Sequence, residues 1–283
     1  MKRMNIMLLL ILAAAVGLFG GYQFWIHNNL DTTGPVITIE DGLLEVSVKD
    51  PQEALLVGLQ AMDDRDGDVT AGVLIESIYG INENRETTVT YAAFDAAGNV
   101  SKAQRQVRYR DYVPPRFQLY GSLTFPQGGD GDLMETVGAW DQLEGDIRRR
   151  IHATLISDTK SLDNRGVHQV RLQVTNSLGD MAQIVVPVEV YDPQWYTAQV
   201  TLTDYMVYLK QGAWFEPKTY LDTFSVRGEA VDVSKVIPAE ISLEIDNKVR
   251  MDTPGVYEVT YILSQTVGMD THSGIAKLIV IVE

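Results

Sequence analysis

The chain lacks cysteine altogether and contains little histidine. None of its 283 residues is a cysteine, so no disulfide links its domains, and each must be held together by an apolar core. Three of the four histidines, His152, His168 and His272, are dispersed without the spacing of metal ligands. The composition therefore predicts neither a disulfide scaffold nor a histidine metal site.

Positive charge is also scarce. The chain has 23 Lys and Arg residues against 38 Asp and Glu residues, which gives a net charge of −15. Proteins that bind nucleic acid need clustered Lys and Arg to contact phosphates. We therefore expect no nucleic-acid partner, and the acidic excess is typical of a soluble, weakly self-repelling surface.

A convergent set of catalytic residues is missing as well. The run Asp270–Ser273 offers a carboxylate, an imidazole and a hydroxyl, but sequence neighbours rarely adopt the geometry of a catalytic triad. The chain has no nucleophile-elbow pattern either. The sequence predicts a polar hairpin at this position, and a protein that is not an enzyme and has no resident cofactor.

The chain does contain an internal repeat. The segment Ala61–Val69 returns 78 positions later as Ala139–Ile147, with its Asp, Gly-Asp and apolar positions retained. A third, looser copy is marked by Gly255–Tyr261, which matches Gly166–Leu172 of the second. Self-similarity at a long, fixed period predicts an array of similar structural units.

Within each unit the apolar residues alternate with polar ones. Val170, Leu172 and Val174 fall on one side of a strand, and the polar residues between them fall on the other. Short runs of this kind, separated by Gly, Asp, Asn and Pro, are typical of a β-sandwich. The sequence predicts an all-β protein of three tandem Ig-like sandwiches after one N-terminal transmembrane helix, with domains at 32–112, 113–191 and 192–283.

The amino-terminal segment predicts a membrane anchor. Residues 6–26 are 21 residues without a charge, which as a helix would span about 30 Å, the thickness of a bilayer core. Lys2 and Arg3 precede this run, so the positive-inside rule places residues 1–5 in the cytoplasm and the sandwiches outside the cell. The expected localisation is a single-pass cell-membrane protein whose first partner is the lipid bilayer, contacted through residues 6–26. A cleaved signal peptide ending near Ala15–Gly17 is the alternative.

The repeated residues resemble a known family. The first unit reads A-x-D-x-x-D-G-D-V-T from Ala61 and V-T-Y-x-A-x-D-x-A-G-N from Val89. These patterns resemble bacterial Ig-like surface repeats of the type found in a pesticidal crystal protein, within the broader HYR and cadherin-like group. The resemblance covers about 250 residues and implies an Ig-like fold. It also implies a role as a spacer, adhesive stalk or accessory module.

The acidic turn of the first unit is a candidate calcium site. Calcium binds several carboxylate and carbonyl oxygens, and the candidate ligands are Asp63, Asp64, Asp66, Asp68 and Asp95. The alternative is a tight turn in which Asp side chains accept backbone hydrogen bonds and Gly67 supplies a positive φ. The second unit changes two of these acids and the third loses the cluster, which favours the turn.

The third unit is the richest in aromatic residues. Exposed aromatic side chains could contact a protein or stack on sugar rings, whereas buried ones would fill the core. The candidates for a binding surface are Trp195, Tyr208, Trp214 and Tyr220. The sequence thus predicts a surface stalk or adhesion and protein-interaction module with an unknown protein or glycan partner outside the cell. The alternatives are a glycan-binding module and a calcium-rigidified spacer.

Overall fold

The computed structural model describes residues 2–129, 131–156 and 161–283. These residues form two compact units. The first comprises the described residues up to Tyr79 with Glu83–Arg110, and the second comprises Gly80–Asn82 with the described residues from Asp111 to Glu283.

The first unit contains one set of seven strands, which we call copy one. Four strands form a sheet in the order β2-β7-β6-β5, where β2 pairs in parallel with β7, and the other three form an antiparallel sheet in the order β1-β3-β4. The strands are β1 (Val36–Ile39), β2 (Leu44–Val46), β3 (Leu59–Asp63), β4 (Gly67–Asp68), β5 (Leu74–Tyr79), β6 (Glu86–Phe94) and β7 (Val100–Tyr109).

The second unit contains two further sets with the same strand order, copy two and copy three. Each has a three-stranded and a four-stranded sheet, and in each the second strand pairs in parallel with the seventh. Copy two comprises β8 (Arg116–Leu119), β9 (Thr124–Pro126), β10 (Val137–Asp141), β11 (Gly145–Asp146), β12 (His152–Leu155), β13 (Gly166–Thr175) and β14 (Met181–Tyr191), with a short helix α2 (Leu133–Thr136). Copy three comprises β15 (Ala198–Leu202), β16 (Met206–Leu209), β17 (Leu221–Val226), β18 (Glu229–Asp232), β19 (Ile241–Asn247), β20 (Gly255–Val267) and β21 (Asp270–Val282). The predicted β-sheet architecture is therefore confirmed.

The alternation in sequence explains these strands. In β13 the side chains of Val170, Leu172 and Val174 are buried, while Gln169 before them and Arg171 between the first two are exposed. A strand with one face on the core and one face in water has this two-residue period. Short 3₁₀ turns connect some strands: Gln52–Leu56, Thr70–Gly72, Arg148–Arg150 and Pro217–Tyr220.

Strand β21 departs from this pattern because both of its faces are covered. Leu278, Val280 and Val282 belong to the apolar core of copy three. Ile279 and Ile281, which point the other way, pack into the core of copy two. A strand buried on both faces reads as a continuous apolar run, which is why residues 278–282 carry no polar side chain.

The N-terminal segment is helical, with α1 extending over Lys2–Asn29. No helix in the described part of the chain is both long enough and apolar enough to cross a membrane. The predicted localisation, a single-pass membrane protein with residues 1–5 in the cytoplasm and residues 6–26 in the bilayer, is therefore wrong. The bilayer contact predicted for residues 6–26 is not supported, and residue 1 of the predicted cytoplasmic tip lies outside the described residues.

Candidate functional site at the loop end of each copy

Three loops meet at one end of each copy, which we call its loop end. They are the segment before the first strand, the turn between the third and fourth strands, and the hairpin between the sixth and seventh strands. In copy one the loops are tied together by Thr33, whose Oγ1 donates to Asp64 Oδ1 (3.1 Å), and by Ala96, whose N–H donates to Asp66 Oδ2 (2.7 Å). The repeated acidic motif thus lies where the three loops converge.

The turn after β3 is built around one carboxylate oxygen. Oδ1 of Asp63 accepts hydrogen bonds from the backbone N–H groups of Arg65 and Asp66, both at 2.9 Å. Gly67 has φ of 77°, a left-handed conformation that strongly favours glycine. The same turn follows β10, where Asp141 replaces Asp63 and Gly145 has φ of 76°. These contacts are those of the tight turn that was the alternative to a calcium site.

Three acidic side chains of copy one lie together at the loop end. Oxygens of Asp31, Asp63 and Asp64 all lie within 4.8 Å of one another. Asp31 also accepts hydrogen bonds from the backbone and side chain of Thr33, and its Oδ2 lies 3.6 Å from Arg65 Nε. Three carboxylates and one guanidinium leave this cluster with an excess of negative charge.

The other predicted calcium ligands hold the loops in place. Asp68 Oδ1 accepts a hydrogen bond from the Thr70 N–H, and the Thr70 side chain and backbone hold the pKa of Asp68 below its usual value. Asp95 accepts bonds from both the side chain and the backbone N–H of Asn99. Burial alone would raise the pKa of Asp95, but these hydrogen bonds outweigh it and lower the pKa. Asp66, Asp68 and Asp95 thus use at least one oxygen each for the local fold.

At the loop end of copy two, neutral side chains donate hydrogen bonds to acidic ones. Asn176, which follows β13 as Asp95 follows β6, donates from Nδ2 to Asp141 Oδ2 (2.9 Å) and to the Tyr112 hydroxyl (2.8 Å). The Tyr112 hydroxyl in turn donates to Asp180 Oδ2 (2.8 Å). Burial, and then the contact with Asp180, raise the pKa of Tyr112, so this hydroxyl remains a donor. Both oxygens of Asp141 are therefore satisfied.

The loop end of copy three carries exposed apolar side chains. Thr197 Oγ1 lies 2.9 Å from His272 Nδ1, and Arg227 Nη2 lies 3.4 Å from Asp270 Oδ2, so the three loops are again in contact. Trp195 lies in the first loop and is 63% exposed, and Met269 lies at the tip of the β20–β21 hairpin and is fully exposed, at 102%. Two large apolar side chains in water on neighbouring loops are a feature typical of a binding surface.

The four predicted surface aromatics do not form one patch. Tyr208 is partly buried, its hydroxyl bonds to the backbone N–H and C=O of Phe117, and burial raises its pKa to about 12. Tyr220 is partly buried and packs on Phe215, with ring centroids 5.8 Å apart. Only Trp195 and Trp214 are exposed.

The two exposed tryptophans lie near opposite ends of copy three. Thr197, two residues after Trp195, contacts His272 near the beginning of β21. Gln211, three residues before Trp214, donates its N–H to the Glu283 carbonyl just beyond the end of β21. The intervening strand spans roughly 35 Å at about 3.3 Å per residue. Trp195 and Trp214 are therefore two separate sites.

Sequence reasoning missed two residues of the loop ends. Asp31 was not among the predicted ligands because it lies outside the repeated motif, although its position ahead of Gly34-Pro35 parallels Asp111 ahead of Pro114-Pro115. Met269 was missed because a lone methionine beside a glycine gives no sign of its exposure. Asp31 could have been found by aligning the segments that precede each unit. The exposure of Met269 follows only from the pairing of β20 with β21, which places it at the hairpin tip.

Comparisons with known proteins give distant similarities only. No family model and no curated protein matches the chain. It is similar to the protocadherin gammaB4 extracellular domain, with 12% identity over 89% of this chain and 50% of that chain, at a TM-score of 0.20. For Drosophila N-cadherin EC1-4 the identity is 15%, over 89% of this chain and 76% of that chain, at a TM-score of 0.23.

A bacterial structure is similar at the same level. It contains CBM51-2 in complex with GlcNAc and INT domains from Clostridium perfringens ZmpB, with 11% identity over 88% of this chain and 42% of that chain, at a TM-score of 0.22. The chain spans half the length of the protocadherin it resembles. The specific family expected from the repeat motif stays a prediction.

Proposed function

We propose that the chain is a non-catalytic protein-interaction module whose contact surface is the loop end of copy three. The observation that supports this most directly is the full exposure of Met269 at a hairpin tip, together with that of Trp195, which is also mostly in water and lies in the loop that contacts the same hairpin through Thr197 and His272. While both side chains are exposed to water, the favourable free energy of burying their apolar surface is not gained. A partner that covered them would provide that burial. Function would then depend on binding alone, with no chemical step.

The scaffold under these loops supports such a role. The hairpin that carries Met269 is formed by two 13-residue strands paired in register from Gly255↔Val282 to Val267↔Asp270. Loops held by a rigid sandwich are a common location for binding residues. Trp195 is further held by Arg165, whose guanidinium lies 5.8 Å from the centre of its ring. The two apolar side chains are thus presented on an ordered base.

Affinity capture with matched variants tests this proposal. The full chain, immobilised, is exposed to extract and medium from the cells that produce it, and bound proteins are quantified by mass spectrometry. We expect a protein retained by the wild type to fall about tenfold or more with the Trp195→Ser, Met269→Ser double variant, since the anchors of an interface dominate its affinity. The matched control is Val236→Ser, which removes a 74% exposed apolar side chain elsewhere in copy three and should retain the partner. Equal retention by all three proteins would show that this surface is not used.

A glycan-binding role is the second candidate, and it rests on Trp214. This residue is 80% exposed and lies far from the loop end, and an exposed indole can stack on a sugar ring. Glycan-array binding that is lost with Trp214→Ala but kept with Trp195→Ala would support the glycan role. Binding to no glycan, with normal folding of both variants, would exclude it.

A further inference from the structure

One buried carboxylate oxygen in copy one has no hydrogen-bond donor. Asp63 is only 7% exposed, and its Oδ1 is already taken by two backbone N–H groups of the turn. Its Oδ2 is buried and has no hydrogen-bond partner among the described residues. Leaving a charged oxygen buried and unpaired is costly. A hydrogen-bond donor or a cation at this oxygen would remove that cost.

Copy two shows how the same position is satisfied when no ion is needed. There the equivalent oxygen, Asp141 Oδ2, accepts from the Asn176 amide, and Tyr112 completes the network. Copy one has Asp95 where copy two has Asn176. A carboxylate has no proton to donate, and Asp95 is instead engaged by Asn99. The exchange of an amide for an acid thus leaves Asp63 without its donor.

The surroundings of Asp63 add negative charge. Copy one has Asp31 in the segment before β1, and its carboxylate lies with those of Asp63 and Asp64, with oxygens within 4.8 Å of one another. Arg65, with its Nε 3.6 Å from Asp31, offsets one of the three charges. The remaining charge of about −2 matches a divalent cation.

We propose that Asp31, Asp63 and Asp64 bind a calcium ion at the loop end of copy one. Calcium takes six to eight oxygen ligands at about 2.3–2.6 Å in flexible geometry, and three carboxylates can supply up to about six of them. Magnesium demands near-ideal octahedral geometry, which ligands from two irregular loops satisfy poorly. The ion would pair with the orphan Asp63 oxygen and join the segment before β1 to the β3–β4 turn. This site is independent of the apolar surface of copy three.

Calcium titration of the full chain tests the site. The protein is stripped with EDTA, and CaCl₂ or MgCl₂ is added while heat of binding and thermal unfolding are measured. We expect one calcium per chain and a rise in the unfolding midpoint, with a smaller rise from magnesium. The variants Asp63→Asn and Asp64→Asn should each weaken calcium binding about tenfold or more. Asp64 is exposed, so we expect the Asp64→Asn variant to fold. It therefore tests the site even where Asp63→Asn impairs folding.

The matched control is Asp141→Asn, which makes the same change at the equivalent turn of copy two. It should bind calcium as tightly as the wild type, because copy two has no unpaired carboxylate oxygen at this position. Without calcium, Asp64→Asn should be at least as stable as the wild type, since it relieves repulsion within the cluster. An absence of calcium binding, or binding that survives both Asp63→Asn and Asp64→Asn, would overturn the proposal. An equal response to magnesium would overturn the assignment to calcium.

Discussion

At the scale of single residues, Lys277 is a deeply buried cation of the second unit. It lies on β21 and is 2% exposed, with Nζ 2.9 Å from Glu189 of copy two and 3.1 Å from Glu258 of copy three. Burial alone would raise the pKa of Glu258, but hydrogen bonds and charges from Lys248 and Lys277 lower it overall. Glu258 therefore stays ionised, and Lys277 holds together acids from two copies.

Replacing Lys277 with methionine tests this ion network. The change keeps the apolar stem but leaves two acidic groups without their shared cation, so we expect the free energy of unfolding to fall by about 3 kcal/mol. The measurement is urea denaturation followed by the fluorescence of Trp140, Trp195 and Trp214. The matched control Lys248→Met removes a more exposed cation from the same Glu258 and should cost less than about 1 kcal/mol. Similar losses of unfolding free energy in both variants would show that the burial of Lys277 does not increase its contribution to stability.

At the scale of elements, the two sheets of copy three approach each other closely at Gly274 on β21. A Cβ added there would lie 2.9 Å from the Ala198 carbonyl oxygen and 2.9 Å from Val200 Cγ2, both on β15. A carbonyl of a paired strand cannot move without disturbing its sheet. The glycine is therefore required by packing, since its φ does not lie in the left-handed region.

The variant Gly274→Ala should push β15 away from β21. We expect it to lower the free energy of unfolding by about 1–3 kcal/mol, the usual cost of overpacking a core. Gly72→Ala is the control, because a Cβ there meets no heavy atom within 4 Å and its φ is not left-handed. Urea denaturation of both variants measures the difference in their free energies of unfolding. A neutral Gly274→Ala variant would mean that β15 and β21 are not in close contact.

At the scale of the whole molecule, strand β21 contributes side chains to the apolar cores of both copy two and copy three. Ile279 and Ile281 of β21 pack with Phe117 and the other core residues of copy two. Tyr208 adds hydrogen bonds to the Phe117 backbone, and Arg116 stacks on the Tyr208 ring at 4.6 Å. Apolar packing of this extent couples the stabilities of the elements it joins. The second unit should therefore unfold cooperatively.

Hydrogen exchange of an Ile279→Ala variant tests this coupling. Removing a buried isoleucine should cost about 3 kcal/mol and reduce the protection of backbone amides in both β13 of copy two and β20 of copy three. The control Val256→Ala lies on β20 but is 36% exposed, and it should change protection little. Loss of protection in copy three alone would show that the two copies unfold separately.

Much of the fold could be predicted from the sequence, but less of the candidate site could. The alternation of Val170, Leu172 and Val174 with polar residues predicts both the strand and the face of it that is buried, because both depend on the two-residue period of a β-strand. The recurrence of the acidic turn could be predicted, since an Asp followed by Gly at fixed spacing is a local signal. The contacts of Asp31 and the exposure of Met269 depend on residues distant in sequence, and no local pattern reports them.

The sequence by itself determined the repetition, the strands and the turns, because these follow from local periodicity and backbone preference. Only the tertiary structure decided which member of each repeated set is left unpaired or exposed. The same turn has a satisfied Asp141 in copy two and an orphan Asp63 oxygen in copy one. Likewise, Tyr208 and Trp195 are both aromatic residues of copy three, yet Tyr208 is partly buried and hydrogen-bonded to Phe117, whereas Trp195 is mostly exposed to water. The physical reason is that burial and hydrogen bonding are properties of the surroundings, which the fold assembles from distant parts of the chain.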